Sequence, residues 1–178
     1  SAFNKCSGLT SIEIPNSITS ISSNVFCECK NLASVEIPNS VTSIGGGAFY
    51  MCKSLTSVVI PNSITYIGDN AFDSCTGLTS VRCEGSISPT MGRYVFWSVN
   101  MSTCTLYVPA EGLNEYKSAD EWKNFDIMKM YINDADGILY TLNSETNEAE
   151  VYFGKKYSSS SVSIQAKIGR AVQQECRD

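Results

Sequence analysis

The chain has 178 residues, 43% of them hydrophobic, and a net charge of −5. That is enough apolar content for a real core, yet no apolar run approaches the roughly 18 residues of a membrane-spanning helix. Thirteen lysines and arginines form no stripe that could neutralise phosphates, which argues against nucleic-acid and anionic-membrane binding, and without histidine the familiar Ser-His-Asp and Cys-His catalytic sets are excluded.

In chain order, Ala2-Phe3 with Cys6 is followed by Leu9-Thr-Ser-Ile-Glu-Ile-Pro-Asn-Ser-Ile. The wording returns at Leu32, at Leu55 and, shortened, at Leu78-Thr-Ser-Val-Arg-Cys, each time displaced by 23 residues. A fixed period of this size predicts a solenoid, in which no coil buries its apolar face except against its neighbours. Within a coil, Leu9, Ile12 and Ile14 alternate with small or polar residues, as in a short strand with one buried face. Pro15, Pro38 and Pro61 end that strand, because proline cannot donate to a ladder, and Asn-Ser supplies a turn. A second apolar pair follows (Ile18 and Ile21, Val41 and Ile44, Ile64 and Ile67), then Gly45 or Gly68, with Ser22 in the first complete coil, at a tight reversal. The third part of the coil carries Phe3, Phe26, Phe49 and Phe72, each three residues before Cys6, Cys29, Cys52 or Cys75; that spacing predicts a helical turn with both side chains inward.

Met91-Gly92, Val95-Phe96 and Val99 repeat the slots of a fifth, degraded coil with one inserted residue, and Tyr107-Val108-Pro109 replays the strand end. From Ala110 to Phe125, the spacing of Leu113, Tyr116, Ala119, Trp122 and Phe125 predicts an amphipathic helix that closes the stack as a lid. Gly137-Ile-Leu-Tyr-Thr-Leu and Ala149-Glu-Val-Tyr-Phe around Asn143-Ser-Glu-Thr-Asn predict a β-hairpin. The expected organisation is an α/β repeat solenoid of leucine-rich-repeat type: coils of short strand plus helical turn over 1–109, a capping helix over 110–128, a hairpin segment over 129–165 and a tail over 166–178. The tail matches neither repeat nor cap and reads as a divergent or non-native end, and the chain starts inside a coil, as a fragment of a longer protein would.

The pattern G-x-x-A-F-x-x-C-x-x-L-T-S-V-x-I-P-N-S-V-T-S-I over residues 1 to 109 resembles the BspA-type leucine-rich repeat of bacterial cell-surface proteins. It departs from the commoner leucine-rich consensus in replacing the core asparagine ladder by cysteine and phenylalanine columns. Ser88 to Ala110, with Tyr116 to Phe125, is similar to the capping end of such arrays in Bacteroides-like bacteria, and the hairpin resembles one that leads a fresh array. The resemblance implies an extracellular or surface-anchored protein, linked to adhesion to host proteins and other cells.

The chain has eight cysteines, and four of them share one slot of successive coils, a slot that Val99 also fills. They read as free, buried thiols, as does Cys83 in the slot of Ile14, Ile37 and Ile60. Cys27 aligns with Asn4, Tyr50 and Asp73 and is expected to be exposed and reactive; Cys104 and Cys176 stay open. Cys27-Glu-Cys29 lacks the further ligands zinc needs, and Asp134-Ala-Asp136-Gly137 fails as a calcium loop because Ile132 and Asn143 occupy its first and last ligand positions. Asn100-Met-Ser102 is an N-glycosylation sequon, without meaning in a bacterial source. No metal, cofactor or catalytic residue is assigned. Glu111, Glu115, Asp120 and Glu121 lie on the wet face of the expected lid helix rather than in a cleft.

What remains is the surface. Thr10, Ala33, Thr56 and Thr79 form one outward set of strand positions, and Glu13, Glu36, Val59 and Arg82 form the most variable one. Glu13, Glu36, Val59, Arg82, Thr56 and Tyr66 are therefore the candidate ligand-binding residues. Tyr50, Tyr66, Tyr94 and Trp97 break the repeat with aromatics, as anchors for a partner or as packing against the cap. The expected function is non-catalytic binding of protein or glycan partners at the cell surface. The alternatives are a structural spacer, which a uniformly hydroxyl-covered surface would favour, and a carbohydrate-active enzyme, which needs two converging carboxylates in a deep pocket.

Overall fold

The computed structural model describes residues 2–133, 139–142 and 149–152. It divides into two compact units, Ser1–Met130 and Tyr131–Asp178.

The first unit is a β-solenoid of about five coils. In chain order its strands are β1 (Ser11–Glu13), β2 (Ser20–Ile21), β3 (Ser34–Glu36), β4 (Ser43–Ile44), β5 (Ser57–Ile60), β6 (Tyr66–Ile67), β7 (Ser80–Cys83), β8 (Thr90–Met91) and β9 (Thr105–Pro109). Odd-numbered strands form one side of the coil, where β1 pairs with β3, β5 with β7 and β7 with β9, and even-numbered strands form the next, where β2, β4, β6 and β8 pair in order. Every one of these pairs is parallel at the register of the repeat. Thus Ile12 faces Val35, Val58 faces Val81 and Val81 faces Leu106, while Ile21, Ile44, Ile67 and Met91 line up on the second side. The prolines turn the corner between these sides as expected. The amides of Ile18, Val41 and Ile64 donate to the carbonyls of Pro15, Pro38 and Pro61 at 3.0 to 3.1 Å, so each proline serves as an acceptor where it cannot donate.

The third side differs from the helical turn that the Phe-x-x-Cys spacing predicts. Cys29, Cys52 and Cys75 do donate to the carbonyls of Phe26, Phe49 and Phe72 within their own coils. Alternate amides, however, reach across to the next coil: Asn24 to Gly46 O, Phe26 to Ala48 O and Glu28 to Tyr50 O, at 3.0, 2.9 and 2.7 Å. A helix would spend all of these donors inside one coil. Left-handed residues at Asn24, Gly47, Asn70 and Tyr94, and again at Glu28, Met51, Ser74 and Ser98, rotate the chain out of helical geometry at each step. The result is a chain of turns that carries a ladder of its own, and the α-helix of the first unit lies near its C-terminal end.

The glycines at the second corner answer to a close approach between coils. The amides of Gly45, Gly68 and Gly92 donate at 2.8 Å to Ile21, Ile44 and Ile67 one coil earlier. A side chain on Gly68 would meet the Gly46 nitrogen at 2.5 Å and the Gly45 carbonyl carbon at 2.9 Å, both of them backbone.

The phenylalanines form the expected stack, buried from Phe26 onward, with Phe3 39% exposed. Phe3, Phe26, Phe49, Phe72 and Phe96 succeed one another at 5.6, 5.4, 5.2 and 5.4 Å between ring centroids, tilted by 18° or less. Leu32, Leu55 and Leu78, with Val41, Ile44, Ile64 and Ile67, fill the rest of the core.

The lid is three short pieces rather than one helix: a 3-10 turn at Ala110–Gly112, α1 at Leu113–Ser118 and a second 3-10 turn at Trp122–Asn124. Residues spaced strictly by three drift about 60° per step around an α-helix, so Tyr116 and Trp122 would point in different directions on a straight one. An extended Ala119 and a left-handed Glu121 (φ 68°) bring both side chains onto the end of the stack. Phe96 there meets Trp122 at 5.8 Å and Phe125 edge-on at 5.3 Å. The polar tips of the buried rings are satisfied: Trp122 Nε1 donates to Pro89 O and Tyr116 Oη to Gly85 O, each at 3.0 Å.

β10 (Ile127–Asn133) crosses from the first unit into the second. In the second unit β11 (Leu139–Leu142) and β12 (Ala149–Tyr152) pair antiparallel, Leu139 opposite Tyr152 and Leu142 opposite Ala149. Asp134, Asp136 and Gly137, the Asn143 turn and the 166–178 tail with Cys176 lie outside the described residues.

Candidate ligand-binding surface

On the first side of the coil, strand alternation buries Val58, Val81 and Leu106 and turns their neighbours outward. Glu13 lies beside Glu36, and Val59 beside Arg82, which in turn faces Tyr107. The repeat thus strings four of the sequence-derived residues into one column. Neighbouring strands are about 4.8 Å apart, so Glu13 and Glu36 are a like-charged pair that repels mildly. Arg82 Nη2 holds Glu84 Oε1 at 3.0 Å, with both side chains about one-third exposed (31% and 33%). That bond quenches part of the only positive charge in the column and holds the guanidinium in place.

Thr56 is exposed immediately before β5, on the same side. Its carbonyl accepts both the Thr79 amide and the Thr79 hydroxyl. Tyr66 stands apart: it lies in β6 on the second side, between Ser43 and Thr90, and is 44% exposed. Tyr107 was missed in the sequence, although Tyr107-Val108-Pro109 replays the strand end and so places it in line with Arg82.

The cysteine column is a column of donors as well as an apolar one. Cys29, Cys52 and Cys75 Sγ lie 3.0, 3.2 and 3.1 Å from the carbonyls of Phe3, Phe26 and Phe49 in the preceding coil. Val99 keeps the volume of this slot but cannot donate. All the described cysteines are free thiols. Burial pushes Cys52 and Cys83 up from an ordinary 9.0 to about 12 and Cys104 to about 11, and it raises Cys75 further still. Cys27 corrects the expectation drawn from its alignment. It is only 9% exposed, and burial, reinforced by the charge of Glu28 and opposed by Lys5, raises its pKa, so it is neither open nor activated. Asp73, in the same slot one coil further than Tyr50, is buried as well, with its carboxylate held by Asn70 Nδ2 at 3.1 Å and Ser74 Oγ at 2.9 Å.

The carboxylates of the lid are engaged separately rather than converging. Glu115 Oε1 accepts from Ser88 Oγ at 3.0 Å, and Asp120 accepts from Lys123 Nζ at 2.6 Å, which holds the Asp120 carboxyl below its usual range. Among the described residues no three His, Cys, Asp or Glu side chains gather as metal ligands. No helix among them is long and apolar enough to cross a membrane.

Of the aromatics that break the repeat, Tyr94 and Trp97 are 53% and 62% exposed and touch each other edge-to-face at 5.3 Å, so they do not pack under the lid. Tyr94 is left-handed (φ 59°) in the slot that Asn24, Gly47 and Asn70 occupy in earlier coils. A bulky residue in that conformation costs about 1–2 kcal/mol.

Parallel coils of this length around one apolar stack define a leucine-rich-repeat solenoid. The match to the BspA type leucine rich repeat is six copies over residues 1–117, and the chain belongs to that family. Among solved structures, it is similar to a leucine-rich repeat protein from Bacteroides ovatus at 26% identity with a TM-score of 0.54, covering 72% of this chain and 31% of that one. A leucine rich cell surface protein from Faecalibacterium prausnitzii is more distant, at 22% identity and a TM-score of 0.38, over 77% of this chain and 44% of that one. The chain therefore spans well under two thirds of either. Comparison with curated proteins returns no match.

Proposed function

We propose that the chain is a non-catalytic binding module, displayed outside a bacterial cell, that holds protein or glycan partners of a host, a matrix or another cell along its strand side. One observation carries this reading. The inward columns repeat almost unchanged from coil to coil, while the outward column Glu13, Glu36, Val59, Arg82 and Tyr107 changes charge and size at nearly every step. Packing constrains the first set; the second is open to selection by a partner. The family supports the surface location, and its solenoid architecture offers an extended face rather than a cleft.

The test is binding of the purified chain to immobilised fibrinogen, further matrix proteins and glycans. Saturable binding to at least one of them is expected, and its absence with a folded chain would reject the reading. A structural spacer is the second reading, and a specific feature favours it. The hydroxyls of Thr42, Thr65, Ser40 and Ser63 are tied to carbonyls of the preceding coil, which is stapling rather than display.

A further inference from the structure

We propose that Tyr94 and Trp97 form a platform for a neutral oligosaccharide on the turn side of the fifth coil. Three observations converge there. The two rings are more than half exposed and lie edge-to-face, at 5.3 Å and 76°, so each leaves a face open to solvent. Tyr94 takes a left-handed backbone in a slot filled elsewhere by asparagine or glycine, yet its ring is not buried in return. Trp97 fills the slot that holds Asn4, Cys27, Tyr50 and Asp73 in the other coils. Strain of this kind, accepted by a side chain that contributes little to the core, marks a residue kept for what it presents.

The size and chemistry of the patch select its ligand. An aromatic side chain offers about 150–250 Å² in all, so two that are half to two-thirds exposed present on the order of 200–300 Å². A stable protein interface needs about 800 Å² per partner, whereas one or two sugar rings are covered by an area of this order. A pyranose whose hydroxyls are all equatorial turns its axial C–H groups to both faces. Such a sugar stacks on an electron-rich ring while its hydroxyls seek polar partners at the edge. Exposed Arg93, Ser98 and Asn100 flank the rings in the chain. Asn100 Oδ1 already accepts from Ser102 Oγ at 2.7 Å, which leaves the Asn100 amide N–H groups as donors for a hydroxyl. The net charge of −5 argues for neutral rather than acidic sugars. The geometry thus favours β-linked glucose or N-acetylglucosamine chains. The platform gives the surface-binding reading a ligand class but lies off the strand column, so either can fail without the other.

Cellotetraose and chitotetraose are the probes, with intrinsic fluorescence as the readout. The chain has two tryptophans; Trp122 is fully buried and Trp97 exposed, so acrylamide quenching and its suppression by sugar report on Trp97. The expected result is saturable protection by at least one probe. In Trp97→Phe and Tyr94→Ala, isothermal calorimetry with the same sugar should show at least tenfold weaker binding with an unchanged melting temperature. A Glu13→Ser, Glu36→Ser, Arg82→Ser chain should bind the sugar as the parent does. No protection by either probe overturns the proposal, as does full binding by Tyr94→Ala and Trp97→Phe. Sugar binding with no macromolecular partner would leave the platform standing and reject the strand-side reading.

Discussion

The strand side and the turn side of each coil both carry a backbone ladder to the next coil, but they dispose of their side chains differently. On the strand side a period of two sends Val58 and Val81 inward and Val59 and Arg82 outward, so half of the positions are free of the core. On the turn side, pairs of left-handed residues bring phenylalanine and cysteine inward together; each ring meets its own copy one coil away, and the Cys52 thiol meets the Phe26 carbonyl of the preceding coil. A residue that stacks on its own copy cannot change alone. The ring positions of the turn side are accordingly uniform, while the slot just after each ring varies from Asn4 through Cys27, Tyr50 and Asp73 to Trp97, which lies beside Tyr94 in the fifth coil.

This contrast can be broken most severely in the ring stack. Phe72→Ala removes a ring held between Phe49 and Phe96 and is expected to lower the unfolding free energy by about 3–5 kcal/mol in urea titrations. A loss of less than half that amount would mean that the coils are held mainly by their ladders. Gly68→Ala is next: its Cβ would collide with the Gly46 and Gly45 backbone, and a loss of about 1–3 kcal/mol is expected by the same titration. The thiols sharpen the comparison through pH. Burial holds Cys52 and Cys83 neutral up to about 12, whereas in the unfolded chain they ionise near 9.0. Below pH 9 both states keep these protons and the thiols add no pH dependence. Between about 9 and 12 the unfolded state loses them first, so stability should fall as pH rises. Urea midpoints at pH 7, 9 and 10.5 check this, and Cys52→Val should soften the fall. On the strand side effects should be small. Glu36→Gln relieves the pair with Glu13 and should raise stability by a few tenths of a kcal/mol at low salt, with the gain vanishing in high salt.

The columns were legible in the sequence because a period of 23 residues puts like on like. The first strand, the proline corner, the glycine reversal and the phenylalanine stack all follow from the alignment of coils. The second apolar pair was aligned as a column but not read as a strand, although Ser20–Ile21 and its copies pair as one. The third side was not legible in the same way. A phenylalanine three residues before a cysteine satisfies a helical turn and a non-helical turn equally, and the difference lies in whether the amide of Phe26 bonds within its coil or to Ala48 in the next. Sequence spacing shows which side chains share a face but not where a backbone donor goes. The lid misled for a related reason: spacing by three buries every marked residue only if the helix breaks, as it does at Ala119 and Glu121. Cys27 was misjudged because its polar counterparts implied exposure, although Asp73 in the same slot is buried by bonding to Asn70 and Ser74. Of the candidate residues, Glu13, Glu36, Val59 and Arg82 could be aligned by counting, and Tyr66 could have been set apart by the same count, since it precedes Ile67 as Ser43 precedes Ile44.

The measurement that bears most directly on the division between a structural interior and a binding strand side is made on one chain carrying Glu13→Ser, Glu36→Ser and Arg82→Ser. Its urea unfolding curve and its binding to whichever matrix protein or glycan surface the parent retains are recorded together. The expected result is an unfolding free energy within about 1 kcal/mol of the parent, as for positions outside the core, with binding lost. Binding at the parent's affinity by the folded variant would contradict the assignment of the partner to the strand side.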